Sequence, residues 1–217
     1  MSNSKQQKHI LIGGGSGFIG RALTEALRAR GDRVTIVSRV EGIDRITWEQ
    51  VQAQGIPECD VVINLAGKHI LDMRRVWTRN YREEVIRSRV ETTEALVRAI
   101  NKQNNPPSTF ISTAGKCFYG SQGFRRAEQY FDLDEYSNPV GLDFPSEVVR
   151  LWEAAAAGVD DQKVRHVKIR LGIVLGTKPS YARNTPEQKR MGAYGIFPML
   201  HRFFKRGLTL SMGNGVQ

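Results

Sequence analysis

The stretch GGGSGFIG, residues 13–20, carries two overlapping glycine patterns, Gly15-x-Gly17-x-x-Gly20 and Gly14-x-x-Gly17-x-x-Gly20. A turn this tight calls for positive φ, and a side chain at Gly17 would stand where a pyrophosphate meets the backbone. The apolar run Ile10-Leu11-Ile12 precedes the turn and a helical pattern follows it. The glycines therefore link a strand to a helix N-terminus, whose unpaired N–H groups and partial positive charge suit an anion. The plainer alternative is a tight strand-to-helix turn without a ligand.

About 20 residues on, at the end of a second apolar run, a dinucleotide-binding chain usually meets the adenosine ribose with an Asp or Glu. Here the run ends in Ser38-Arg39. A hydroxyl and a guanidinium suit the doubly charged 2′-phosphate of NADP. Glu41 lies two residues later and keeps an NAD alternative open.

The elements that must position these residues alternate along the chain. Strands are expected at His9–Ile12, Val34–Val37, Ile46–Trp48, Asp60–Asn64, Ser108–Ser112 and Val167–Val174. Helices are expected over Gly17–Arg30, with Ala22, Leu23, Ala26 and Leu27 on one face, over Thr78–Asn101, and over Ser146–Ala157. A short helical turn follows the third strand, and Gly31 is placed to stop the first helix. This β-α-β order specifies an α/β fold, a Rossmann-type doubly wound parallel sheet covered on both faces. Thr177–Gly192 is polar and rich in breakers, and reads as a long loop.

GGGSGFIG, Val37-Ser38-Arg39, ITW at 46–48, Asn64-Leu65-Ala66-Gly67 and RLGIVLG at 170–176 resemble the atypical extended short-chain dehydrogenase/reductases. Within them the chain is similar to the NAD(P)-dependent epimerase-family proteins. The resemblance extends through EEVIRSRVETTEAL (83–96) and LWEAAA (151–156), and is poor from Thr177 onward. It implies NADP as cofactor. Gly14, Gly15, Ser16, Gly17, Phe18 and Ile19 would cradle the pyrophosphate, and Ser38 with Arg39 the 2′-phosphate. Leu65 and Ala66 would line the adenine and ribose side. Glu84, Arg89 and Ile173 match further cofactor-contacting positions; an exposed charge pair and a core strand residue are the bland alternatives. Residues 1–176 would form the NADP-binding domain, and 177–217 a basic loop with a truncated portion of a substrate domain.

The family's hydride chemistry uses a Tyr-x-x-x-Lys pair with a nearby Ser or Thr, the lysine lowering the phenol pKa so that Tyr shuttles the proton. None of the tyrosines at 81, 119, 130, 136, 181 and 194 has Lys four residues on. Anchored on Trp152, the pair's positions fall on Phe144 and Val148, and the hydroxyl position falls on Ala114, beside Ser112 and Thr113. Tyr119 is open to two roles, a stand-in acid or a packing residue. No catalytic residue is assigned. Two functions follow from this: an NADP-dependent oxidoreductase or epimerase with a non-standard acid, or a cofactor-binding subunit without turnover in a larger assembly.

The net charge of +10 is concentrated near the end of the chain. Between Arg165 and Arg206 ten Lys/Arg (165, 168, 170, 178, 183, 189, 190, 202, 205, 206) stand against Glu187. That segment is either a solvated surface or a face for an anion, an acidic partner or nucleic acid. No nucleic-acid motif with interleaved aromatics accompanies it, so nucleic acid is not the expected partner. Cys59 and Cys117 lack metal-ligand spacing, and no apolar run reaches the ~20 residues of a membrane span. The expected setting is soluble and intracellular, in the cytoplasm or the mitochondrial matrix.

Overall fold

The computed structural model describes residues 6–68, 78–119, 134–137, 142–172 and 174. By internal contacts the chain divides into Met1–Val174 and Leu175–Gln217, and the described residues all lie in the first unit. Six parallel strands form one sheet: β1 (His9–Gly13), β2 (Arg33–Ser38), β3 (Arg45–Thr47), β4 (Val61–Asn64), β5 (Thr109–Gly115) and β6 (Arg165–Leu171). Their order, β3-β2-β1-β4-β5-β6, reverses direction between β1 and β4. The helices are α1 (Phe18–Ala29), α2 (Trp48–Gln54), α3 (Arg79–Asn101) and α4 (Phe144–Ala156), with a 3₁₀ turn at Lys116–Tyr119.

β1 and β2 are apolar on both sides because both sheet faces are covered. Leu11, Val37 and Val62 pack with Leu96, Ile100, Phe110 and Ala156 on one face. Ile10, Ile12, Val34 and Ile36 pack with Leu27 on the other. α1 turns Gly20, Thr24 and Leu27 into the sheet and leaves Ala22 and Ala26 exposed, which corrects the expected face. The cause is Gly20: a Cβ there would lie 2.6 Å from Gly15 Cα, so the helix rests its bare backbone on the glycine turn and its rotation is set by that contact.

Several boundaries also move. Trp48 opens α2 rather than closing β3, because Thr47 and Gln50 form a reciprocal capping box. β5 continues to Gly115, since Thr113, Ala114 and Gly115 stay paired with Ile169, Arg170 and Leu171. β6 accordingly starts at Arg165 and stops at Leu171, before Val174. α4 begins at Phe144 because Asp143 accepts from Ser146 N (2.9 Å) and Pro145 occupies the first turn, where its missing N–H costs nothing.

The elements are locked by one buried hydroxyl. Thr93 Oγ1, on α3, accepts from Asn64 Nδ2 (2.8 Å) and from Trp152 Nε1 (3.0 Å), and donates to Arg89 O (2.6 Å). Asn64, at the end of β4, uses its Oδ1 to accept from Ala66 N (3.0 Å). Thr93 and Asn64 are both fully buried. Thr93→Val keeps the shape and orphans two buried donors, so it should lower unfolding stability by about 1–3 kcal/mol in urea titrations. Thr92→Val, whose hydroxyl bonds only to backbone of its own helix, should cost less.

Candidate functional site

The carboxyl ends of β1, β2 and β4 lie side by side, Gly13 being in register with Val37 on one side and Asn64 on the other. This is the sheet's switch point, where a crevice opens beyond the strand ends. The glycine turn occupies it. Gly14 has φ +76°, and a Cβ there would meet Ala66 Cα and Leu65 C at 2.9 Å, so the turn and the β4 end press backbone to backbone. Leu65 N donates to Gly13 O (2.8 Å).

The glycines have different reasons to be glycine. Gly14, Gly15 and Gly20 are enforced from inside: by positive φ, by Ile36 at 2.8 Å, and by the Gly14–Gly15 backbone, respectively. Gly17 is exposed, with φ −74° and ψ −178° that any residue adopts, and a Cβ there would meet only Gly14 O, at 3.1 Å. The fold asks little of Gly17. It is also the N-cap of α1, where no side chain caps and the first turn has no acid. α2, α3 and α4 are each capped by a side chain, from Thr47, Thr78 and Asp143. Among the described helices, α1 alone presents an uncapped N-terminus, framed by Ser16, Phe18 and Ile19.

At the end of β2, Ser38 is buried, and its hydroxyl donates to Val40 O (2.5 Å) and accepts from Val40 N (3.2 Å). It thereby shapes the turn that presents Arg39. Arg39 is exposed and makes no ion pair among the described residues. Glu41 accepts from Gln50 Nε2 (2.7 Å) and so is held toward α2.

Glu84 and Arg89 flank the chain leaving β4, though not as a pair. Glu84 is half-buried and ion-paired with Lys68, whose Nζ lies 5.5 Å from the Tyr81 ring centre. Arg89 is buried, which removes the exposed-pair alternative. Its guanidinium sits over the Trp152 ring (5.1 Å) and would collide with a Cβ at Gly67 (3.0 Å). Nη1 donates to Val85 O (3.0 Å), while Nε and Nη2 have no hydrogen-bond partner among the described residues. Burial pulls its pKa down to about 10, so it stays cationic at neutral pH. The Lys68–Glu84 pair was missed from sequence; the lysine directly after Asn64-Leu65-Ala66-Gly67 was the available signal. Ile173 lies outside the described residues.

The positions matched to proton transfer have other duties. Phe144 and Val148 are buried with Tyr81 and Val85, one helical turn apart. Ala114 is buried. Ser112 Oγ bonds to His166 Nε2 (2.8 Å), and Thr113 Oγ1 donates to Asn64 O (2.8 Å). Tyr119 OH accepts from Arg170 Nη1 (2.7 Å) and donates to Asp134 O (2.8 Å). Arg170 is itself held by both carboxylate oxygens of Glu153, which raises its pKa further. The phenol is engaged on both sides, as a packing residue would be. Among the described residues there is no His/Cys/Asp/Glu cluster suited to a metal, and no helix long and apolar enough to cross a membrane.

The sequence pattern of the NAD dependent epimerase/dehydratase family matches residues 10–141. The chain is 43% identical over 195 residues to the human epimerase family protein SDR39U1, covering 90% of this chain and 64% of that protein. It is 32% identical over 179 residues to the epimerase family protein YfhF of Bacillus subtilis, covering 78% of this chain and 56% of that one. Among solved structures it is similar to human SDR39U1 (isoform 2) with NADPH, at TM-score 0.74, 38% identity, and 95% and 63% coverage of the two chains. A nucleoside-diphosphate sugar epimerase from Corynebacterium glutamicum matches at TM-score 0.64 and 28% identity, with 95% and 39% coverage. The chain thus spans under two thirds of the length of these relatives.

The division of labour among the glycines is measurable. Gly20→Ala should destabilise the chain by about 1–3 kcal/mol, as overpacking does. Gly17→Ala should cost well under half of that, read by thermal melting of the two variants side by side.

Proposed function

The chain belongs to the NAD dependent epimerase/dehydratase family, and from that premise we propose that it binds NADP(H) on its glycine turn and lacks a phenol–ammonium pair to relay protons. The observation that carries the binding half is the uncapped N-terminus of α1 behind a glycine, Gly17, that the fold itself hardly needs. Gly14 to Ile19 would hold the pyrophosphate with backbone N–H groups, and Arg39 the 2′-phosphate from the turn that Ser38 shapes. Leu65 and Ala66 would line the adenosine side. Glu84 would act through Lys68 at the rim, and Arg89 would offer its free N–H groups. Ile173 completes the proposed set on the nicotinamide side. The human relative's structure with NADPH supports this choice of nucleotide.

Bound NADP(H) would supply hydride donor or acceptor chemistry. What the chain itself offers toward proton transfer is meagre: Phe144 carries no proton to give, Val148 no cation, and Ala114 no hydroxyl. Tyr119 is tied to Arg170 and Asp134. We therefore assign the chain cofactor binding with little or no hydride turnover. Its role would be that of a subunit docking to an acidic protein partner through the 165–206 segment, in the cytoplasm or mitochondrial matrix. Of that segment's cations, Arg165 and Lys168 are described and exposed, whereas Arg170 is already paired.

Two outcomes are expected. NADPH should raise the melting temperature more than NADH at equal concentration, and Arg39→Glu should narrow or invert the gap by weakening NADPH about tenfold or more; equal stabilisation of the unmutated chain by both nucleotides would count against the proposal. Gly17→Val should abolish binding and leave the melting temperature without nucleotide near that of the parent. Second, NADPH should not be oxidised at a useful rate by a panel of carbonyls, sugars or nucleotide-sugars. The missing acid is typically worth about 10²–10⁴-fold. Rapid turnover that Tyr119→Phe abolishes would return Tyr119 to the role of acid.

A further inference from the structure

Along the flank of α1 runs a cavity of about 410 Å³, with Ser16 at one end, Arg21, Thr24, Glu25 and Arg28 on the helix side and Arg45 of β3 opposite. The four α1 residues follow the i, i+3, i+4, i+7 spacing of a single helix face. Of the described residues that line it, Ile36 alone brings an apolar side chain, so the cavity lacks the apolar walls of a small-molecule pocket. One protein carboxylate is already seated on this wall: Arg28 Nη2 donates to Asp44 Oδ2 (3.1 Å) and to Val34 O (3.2 Å). Asp44 adopts φ +56°, a left-handed conformation that Asp tolerates better than most residues, and its carbonyl accepts from Ile36 N (2.8 Å). The β2–β3 loop is thus pinned to α1 at Asp44, and the next residue, Arg45, is delivered onto the cavity wall. Arg21 and Arg45 are exposed, and neither makes a hydrogen bond or ion pair with its side chain among the described residues. Thr24 is only 6% exposed, and its Oγ1 has no hydrogen-bond partner among them either. Helical threonines can return this hydroxyl to a carbonyl one turn back, as Thr92 does to Ser88 O (2.9 Å) and Thr93 to Arg89 O (2.6 Å).

We infer that this groove is a docking site for an acidic protein segment, whose carboxylates pair with Arg21 and Arg45 and take the Thr24 hydroxyl as a further donor. The inference rests on the docking half of the proposed function. It gives the partner a second contact, on the β3 side of the sheet, whereas Arg165 and Lys168 lie on β6 at the opposite edge. Planar carboxylates match the donor fork of arginine, and the Arg28–Asp44 pair shows the wall holding one. Glu25 stands among these cations and opposes a dianion more than a single carboxylate, which favours aspartate and glutamate side chains over a phosphomonoester. Arg21 and Arg28 lie two turns apart on α1, about 10 Å, a span that an extended segment covers in about three residues. Successive acidic side chains of one segment can therefore meet the cations of both walls.

Fluorescence anisotropy of a fluorescein-labelled oligoglutamate peptide with the 217-residue chain tests this. Binding should weaken as salt rises. Arg21→Ala and Arg45→Ala should each weaken it about tenfold, whereas Arg33→Ala, an equal loss of exposed charge outside the cavity, should change it by under about twofold. Thr24→Val should weaken it about threefold or more and melt at or above the parent's temperature, because it removes a buried hydroxyl that the free chain leaves unpaired. A loss in Arg33→Ala equal to the others overturns the groove, since the peptide would then answer to net charge alone. Displacement of the peptide by saturating NADPH overturns it too, as does tighter binding of a single-stranded oligonucleotide that the same substitutions abolish. Loss confined to Arg165→Ala and Lys168→Ala overturns the groove and leaves the docking half of the proposed function standing. If the unmutated chain does not hold the peptide, groove and docking fall together.

Discussion

Thr93 Oγ1 lies where β4, α3 and α4 meet, and its one proton and two lone pairs are all used inside the protein. Each bond places something the site depends on. Asn64, oriented by Thr93, holds Ala66 N and so fixes the β4 end against which Gly14 packs. Trp152, oriented by the same oxygen, provides the ring over which the Arg89 guanidinium rests. With the knot loosened, both the floor of the glycine turn and the platform under the buried cation would shift. A network with every member bonded rigidifies a core, whereas a half-bonded one is worse than an apolar core.

Two arginines show what that rigidity is used for. Arg170 spends its donors internally, on Glu153 and Tyr119, and stacks on Phe118 at 3.5 Å. It staples β6 to α4 and to the 3₁₀ turn. Arg89 is as buried a cation as the described residues contain and has no carboxylate partner among them. Taking a charge out of water without a counter-ion is expensive, and neither the Trp152 ring nor the Val85 carbonyl replaces full hydration. An anion or polar ligand meeting its free N–H groups would offset that cost, which is the support for including Arg89 in the proposed cofactor-binding set.

Much of this was legible in the chain. The glycine spacing, the doubly apolar runs and the alternating order of strands and helices carried the fold and the family, because each is a local pattern of the chain. What escaped depends on contacts across the fold. The rotation of α1 follows from Gly20 resting on Gly15, which no periodicity of Ala22 and Ala26 reports. The early start of α4 follows from Asp143 and Pro145, a capping signal that the apolar spacing masked. Asn64, Thr93 and Trp152 are far apart in sequence, and nothing local marks them as partners. Lys68 with Glu84, and Arg45 presented by Asp44, are likewise visible only once the turns are built.

Gly17 differs from its neighbours in what its loss would leave behind. Filling positions 14 or 20 injures the molecule in any lineage, with or without a nucleotide, so those glycines are silent about use. On the proposed function, position 17 is kept open for the nucleotide rather than for the fold. In a descendant that no longer needed its ligand, selection would release this residue first, and an alanine or serine there would be the earliest written trace of the abandoned role.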